Sequence, residues 1–464
     1  MIDLGPALRE LQAGRLQTAE DACVRALAAE PDNADATGLL AYVRMRRGDL
    51  GGALEAAGRA VALRPQDSGA RFNRALIFEA AGDDARAEAD YADACRLDAT
   101  NVAARINRGN LLLRHDRLDD AAACFATAVA ADPASATAHE CLGIVRQRQK
   151  RGAEAIAALQ RALALAPRDA RIEANLAWAL LENDRAEEAA VHFGRAAAVD
   201  SRLPDLWAGL AAARLRAAQW ADALAATDRA LALAPGHIRA LALRGIALDG
   251  LGRTAERRSI IDLDRMMLAR RHAAPPPGYT DLAAFNDALR RHVLGHATLL
   301  RDRPDKTTRL GRQTDDLLAD DAGPVADLAG LFRDAVEDYR REALPATGPF
   351  SAANWPARWT LRAWATVLDA SGHQDPHHHP SGWLSGVYYV RVPPGVSRSP
   401  DDTAGWIEFG RPDPFFGLTA EPEVRLFQPE EGLMLLFPSH FWHRTIPFVD
   451  REPRISIAFD LVPG

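Results

Sequence analysis

Four histidines and an aspartate fall within seven residues at the start of HQDPHHHPSGWLSGVYYV, which runs from His373 to Val390. Imidazole and carboxylate are the donors that hold divalent metals, and two of them one residue apart at a strand end can share one ion. Two such registers are open: His373 with Asp375, or His377 with His379. His378 faces the opposite way from its neighbours under strand alternation, which places it toward solvent or behind a ligand. A third donor must come from elsewhere, and FPSHFWHRTIP offers His440 and His443. The cluster contains no cysteine, which argues against a structural zinc site.

Donors this scattered need a rigid frame. Beyond Trp355 the chain reads as short strands rich in Trp, Tyr, Phe, Val and Ile: WTLRAWATVL, WLSGVYYVRV, GWIEFG, EVRLFQP, GLMLLFPS and RISIAFDLV. Six strands without intervening helices predict an antiparallel barrel or jelly roll. Between Asp281 and about Arg341 the apolar residues fall at helical spacing, so helices precede the strands. Trp383 and Trp406 are candidates for the mouth of a site, although tryptophans in such strands are more often core.

The order of elements is histidine cluster, strand Ser385–Val390, strand from Gly405-Trp406, PEEGLMLLFPS, His440 and His443, then Arg454-Ile455-Ser456. It resembles the double-stranded β-helix of the iron(II)- and 2-oxoglutarate-dependent oxygenases. Within them it is similar to the bacterial and phage group with H-x-H-P before SGVYYV and FPS-x-x-x-H later. The resemblance covers roughly Trp355 to Leu461. It implies Fe(II) as metal and 2-oxoglutarate as cosubstrate, with three protein ligands on one face of the ion and the rest left for cosubstrate and oxygen. His377, His379 and His443 match the closer group as ligands, while His373 and Asp375 match the H-x-D pair of the wider superfamily; both registers stay open. Histidine in place of aspartate makes the site less negative. His443 is the fourth residue after FPS, and His440 is placed at the rim. Arg454 matches the arginine that grips the far carboxylate, a task suited to a two-pronged guanidinium. Ser456 shares its strand face, and alternation puts Ser385, Val387 and Tyr389 on one side of theirs, with Tyr389 toward the same carboxylate.

The first half is repetitive. Stepping by 34 from Pro31 reaches Pro65, Ala99, Pro133, Pro167, Ser201 and Pro235. Small residues recur in phase at Ala41, Ala75, Gly109, Gly143, Ala177, Ala211 and Gly245, and alanines at Ala53 to Ala223 and Ala60 to Ala230. This resembles the tetratricopeptide repeat, in which small residues sit where antiparallel helices press together. Seven repeats and a closing helix near His237 to Leu251 are expected. Asn73, Asn107 and Asn175 share one repeat position, interrupted at Cys141 and Gly209. An amide offers a donor and an acceptor to an extended backbone, so these residues, with Arg71 and Arg105 and the pair Arg74 and Arg108, are candidate peptide contacts. The bland alternative is a solvated helix face.

The chain of 464 residues carries a net charge of −7, which gives no reason to expect nucleic acid or an anionic membrane as partner. MIDLGPALRELQAGRLQTAE has no basic region followed by an apolar one, and no apolar run reaches the roughly 20 residues a bilayer needs. Cys23, Cys95, Cys124 and Cys141 are widely spaced, as in a reducing cytoplasm. The expected architecture is multidomain α + β. A tetratricopeptide solenoid spans 1–252, a linker with RRHAAPPPGYT spans 253–278, and an oxygenase domain spans 279–464, its β-helix core starting at about 355. The expected function is a 2-oxoglutarate-dependent dioxygenase that hydroxylates a side chain of a protein or peptide held in the repeat groove. The alternatives are a repeat scaffold with an inactive or sensory barrel, and an enzyme for a small molecule.

Overall fold

A computed structural model describes residues 3–302, 306–319, 323–399 and 401–464. The chain divides into two compact units, Met1–Asp184 and Arg185–Gly464.

The first unit is a run of antiparallel helix pairs, from Gly5–Gln12 to Ala170–Glu182. Asn33, Asp49, Asp67, Asp83, Asn101, Ser135 and Asp169 each cap a helix by accepting a backbone N–H of its first turn. The periodic alanines Ala53, Ala87, Ala121 and Ala155 have no exposed surface. At Gly109 the fit is tighter: an added Cβ would lie 2.4 Å from the Phe125 ring. Helix contact at this distance requires the small residues that the repeat pattern keeps.

The turn inside every helix pair is left-handed. Positive φ recurs at 34-residue steps at Gly14, Gly48, Gly82, Asp116, Lys150, Asp184, Ala218 and Gly252. Glycine takes this conformation freely, whereas a Cβ costs about 1 kcal/mol there.

The second unit begins with helices of the same period, Ala186–Val199, Pro204–Arg216, Trp220–Leu233 and Ile238–Gly250. A β-sandwich follows. The strands are β1 (Leu268–Arg271), β2 (Leu300–Arg301), β3 (Thr308–Gln313), β4 (Trp359–Gln374), β5 (Leu384–Arg391), β6 (Ile407–Phe409), β7 (Arg425–Phe427), β8 (Leu433–Pro438), β9 (His443–Thr445) and β10 (Arg454–Pro463). The larger sheet has the order β1-β8-β5-β10-β4-β3-β2 and the smaller β7-β6-β9, all pairs antiparallel, as in a jelly roll. Helices Leu282–Leu294 and Pro324–Glu342 cover the outer face of the larger sheet. Phe332 stacks on Phe459 at 4.0 Å, and Tyr388 donates to Asn286 Oδ1 at 2.8 Å.

The segment expected as a linker, 253–278, is instead part of this unit. It holds the helix Thr254–Arg258 and β1, which pairs with β8 from Leu268↔Leu436 to Arg271↔Leu433. Arg257 is buried between Asp249 at 3.1 Å and Glu423 at 3.2 Å. An edge strand of four residues reading LARR has no alternation to betray it. β2 and β3 also precede the expected start of the core at 355.

Replacing Ala218 or Lys150 by glycine should relieve the left-handed strain and raise stability by about 1 kcal/mol each, read as a shift in the urea midpoint at unchanged slope.

Candidate metal centre and adjoining cavity

The metal question turns on where β4 ends. After Gln374 the chain leaves the sheet and passes Asp375 and Pro376. His377 then forms an isolated antiparallel bridge with His443 at the start of β9. His377 N–H donates to His443 O at 3.0 Å and His443 N–H to His377 O at 2.9 Å. Two residues on, His379 N–H donates to Ser439 O at 2.9 Å, just past the end of β8. Backbone bonds thus fix all three segments before any side chain is considered.

One ring nitrogen from each of His377, His379 and His443 lies within 4.8 Å of the others. In each ring Nδ1 faces a protein acceptor. It donates to Asp375 O at 2.8 Å in His377, to Asp460 Oδ1 at 2.6 Å in His379, and to Phe441 O at 3.1 Å in His443. A proton held on Nδ1 leaves the Nε2 lone pair as the donor to an ion, the arrangement usual in metal-bound histidine. Burial and the neighbouring rings push His377 down to about 3 and His443 well below its ordinary value, so these imidazoles are neutral. Neutral imidazoles suit iron, zinc, copper or nickel.

The other register lies apart from this group. His373 sits on β4 opposite Arg309, with Nδ1 toward Ser371 O at 3.2 Å. The Asp375 carboxylate meets Arg309 at 2.8 Å and His373 at 3.5 Å. Neither residue joins the cluster, because the turn after Gln374 leaves the Asp375 side chain with Arg309. His378 is half-buried beside the cluster. Its ring stands edge-on to Trp442 at 4.9 Å, and its Nδ1 is buried without a partner. His440, expected at the rim, is fully buried, with Nε2 donating to Ile260 O at 2.8 Å.

A cavity runs inward from the three rings. Its walls are rows of paired residues across the sheet: Thr366, Ser456 and Tyr389, then Trp364, Ala458 and Val387. Arg454 closes the far end, 1% exposed. Its Nη1 donates to Gly405 O, but Nε has no partner, and neither do Tyr389 Oη and Thr366 Oγ1. Burial pushes the Tyr389 phenol up to about 12, so it keeps its proton to donate. Three buried polar groups left unpaired at one end of a cavity are costly unless a ligand pairs them, and a carboxylate is the matching group. The residues at the Arg454 end therefore match a carboxylate in their chemistry.

Ser385 departs from its expected place. It shares the inward face with Tyr389, but it is four residues nearer the histidines. There it bonds His379 Nδ1 at 3.0 Å and Asp460 Oδ1 at 2.6 Å. Trp383 stacks on Phe350 at 3.9 Å and Trp406 donates to Ser397 O at 2.8 Å; both are core rather than mouth. Trp364, Thr366, Gln374 and Asp460 escaped the sequence reading. Asp460 lies in phase with Ser456 on one strand, which alternation could have shown. Thr366 is placed by the β4–β10 register, which no local pattern carries.

In the first unit, Asn73 and Asn107 are half-buried, and Asn107 bonds Tyr91. Asn175 donates to buried Glu140 at 2.8 Å. Arg71 pairs with Asp93 at 2.8 Å, and Arg105 donates to Asn101 O at 3.2 Å. These last three are thus engaged within the repeats. Arg74 grips Asp90 at 2.6 Å and Arg108 pairs with Glu88 at 3.4 Å.

Residues 362–460 match a family model described as "Putative 2OG-Fe(II) oxygenase". Residues 10–77, 106–170 and 142–205 match tetratricopeptide repeat models. Similar solved structures include YrrB, described as a TPR protein with an unusual peptide-binding site. It is 23% identical over 40% of this chain and 97% of its own, with a TM-score of 0.37. Pseudomonas aeruginosa pilF is 19% identical over 48% of this chain and 97% of its own, with a TM-score of 0.40. No curated protein matches the chain. The chain therefore joins N-terminal tetratricopeptide repeats to a C-terminal domain of the 2OG-Fe(II) oxygenase family.

Proposed function

We propose that this protein is an iron(II)- and 2-oxoglutarate-dependent dioxygenase that hydroxylates a side chain of a protein or peptide captured by its repeats. The observation that carries the reading is a single cavity with two unlike ends. Three imidazoles converge at one, and a buried guanidinium with an unpaired hydrogen-bond donor waits at the other.

In this reading His377, His379 and His443 hold the iron. Arg454, with Tyr389, Thr366 and Ser456 beside it, takes the distal carboxylate of 2-oxoglutarate. Iron with this cosubstrate supplies O₂ activation, one oxygen atom passing into succinate as CO₂ leaves and the other into a substrate C–H bond as hydroxyl. Val387, Ile407 and Phe437 line the cavity between the two ends and keep water from it. Asn73 and Asn107, with Asn175, Arg71 and Arg105 in support, are the proposed contacts to the captured chain. The four cysteines are free thiols, which suits a cytoplasmic setting. We place the start of the oxygenase domain's leading helices at about residue 279, with the repeats ending near 252.

Supplying iron(II) and labelled 2-oxoglutarate anaerobically and then admitting O₂ should yield succinate. Turnover no greater than buffer with every peptide tried would favour a repeat scaffold with an inactive barrel. His443→Ala should abolish iron binding, whereas Asp375→Ala should leave it within about threefold, since Asp375 stands outside the cluster. Binding lost in Asp375→Ala would restore the other register. Arg454→Ala removes charge-assisted hydrogen bonds worth roughly 1.5–3 kcal/mol, so 2-oxoglutarate should bind about 10–100-fold more weakly while iron affinity holds, as separate titrations would register. An Asn73/Asn107 double alanine variant should raise KM for a protein substrate without changing turnover of 2-oxoglutarate alone.

A further inference from the structure

The three ring nitrogens that face away from the cluster do not have equivalent partners. His377 and His443 lean on neutral backbone carbonyls, while His379 leans on the carboxylate of Asp460 at 2.6 Å. That carboxylate is 7% exposed. Its Oδ1 also accepts from Ser385 Oγ at 2.6 Å, and Ser385 Oγ lies 2.7 Å from Ser439 Oγ, both serines having no exposed surface. Gly382 leaves room for the arrangement: a Cβ there would come 2.7 Å from Ser439 Oγ and 3.0 Å from Asp460 Cγ. Ser385 donates to this carboxylate and Ser439 adjoins Ser385, so the carboxylate is held as an acceptor aimed at one imidazole.

We propose that Asp460 is a positioning residue for the metal centre. It fixes His379 as the Nδ1–H tautomer, and it supplies from behind that ring the negative charge that three neutral imidazoles lack. The proposal rests on the metal reading above and adds to it. A dication held by neutral ligands in a buried site carries its charge unrelieved. A carboxylate hydrogen-bonded to a ligand imidazole makes the ring more basic and returns part of that charge, an effect that typically changes metal affinity 10–100-fold. The same anion favours the ferric over the ferrous ion, so it holds the midpoint potential down. Ser385 and Ser439 keep the carboxylate in its place.

The test uses the full-length protein, anaerobic Fe(II) titration against a competing chelator, the visible spectrum of the Co(II) form, and the Fe(III)/Fe(II) midpoint potential. Asp460→Asn keeps the shape and removes the charge. It should weaken Fe(II) binding 10–100-fold, move the potential upward and alter the Co(II) bands, with 2-oxoglutarate binding at saturating metal not weakened. Asp460→Glu should restore the potential toward the wild-type value. Should the Asn variant fail to fold, Ser385→Ala decides: it frees the carboxylate from one donor and should weaken Fe(II) several-fold. Wild-type affinity and potential in Asp460→Asn, or wild-type affinity in Ser385→Ala when that variant decides, would overturn the proposal alone. So would lowered thermal stability with an unmoved potential, the mark of a purely structural side chain. A wild-type protein that takes up no Fe(II) would overturn the metal reading beneath it, and this proposal with it.

Discussion

A histidine serves a metal only while one nitrogen keeps its proton on a fixed acceptor and the other offers its lone pair. That requirement organises the C-terminal unit. The reciprocal backbone bonds between His377 and His443 set two rings 4.2 Å apart, and the bond from His379 to Ser439 O brings in the third. Each Nδ1 then meets an acceptor supplied by the same local backbone or by β10. Burial completes the arrangement by keeping the His377 and His443 rings neutral, since clustered positive charge away from water is strongly disfavoured.

The far end of the cavity obeys the opposite rule. Arg454 stays buried with Nε unsatisfied, and Tyr389 and Thr366 present hydroxyls with no partner. A buried guanidinium with one backbone acceptor destabilises the apo fold, because desolvation of the charge is not matched by an anion. Such an arrangement persists where a ligand repairs it. The surrounding sheet can carry the cost, since β10 is paired on both sides along most of its length, and Phe459 on β10 and Tyr388 on β5 tie the sheet's outer face to two helices. Site and scaffold are therefore opposed locally and reconciled only through the packing around them.

How much of this could be read from residues alone follows from what each feature depends on. The repeats were legible because one 34-residue period fixes small residues, caps and turns together, and the buried alanines follow it without a slip. The longer strands were legible for the same kind of reason, as alternation runs through SGVYYV and RISIAFD. Three short strands were not: β1, β2 and β9 have two to four residues and no apolar run of their own, unlike β6 and β7 within GWIEFG and EVRLFQP. The histidine cluster suggested a metal site, yet the register of its convergent side chains depended on whether the turn after Gln374 aims Asp375 or His377 inward. Arg309 holding Asp375 is a contact across β3 and β4 that sequence spacing cannot express. Ser385 shows the limit of alternation. It gave the correct face, but the depth along the strand, about 13 Å over four residues at strand rise, decides which ligand a side chain serves.

The misplaced residues are also the ones that pack the histidine-bearing segments against the rest of the unit. His378 packs edge-on against Trp442, Trp442 meets Phe416 at 5.8 Å, and the adjacent Phe415 lies 5.3 Å from the guanidinium of Arg216 on the repeat-type helix Pro204–Arg216. Beside it, His440 donates to Ile260 O, and Arg257 bridges Asp249 and Glu423. Residues between Arg185 and the barrel thus press on both segments that carry the histidines, within one compact unit. Loops that supply ligands have no hydrogen-bonded ladder of their own to keep them to the fraction of an ångström a metal demands, so rigidity has to be imported from packed elements. Here it comes from helices that the sequence assigns to the repeats. The last repeats and the barrel consequently cannot be separated at residue 252 without stripping support from the ligand loop, whatever the independence of the repeats before Asp184.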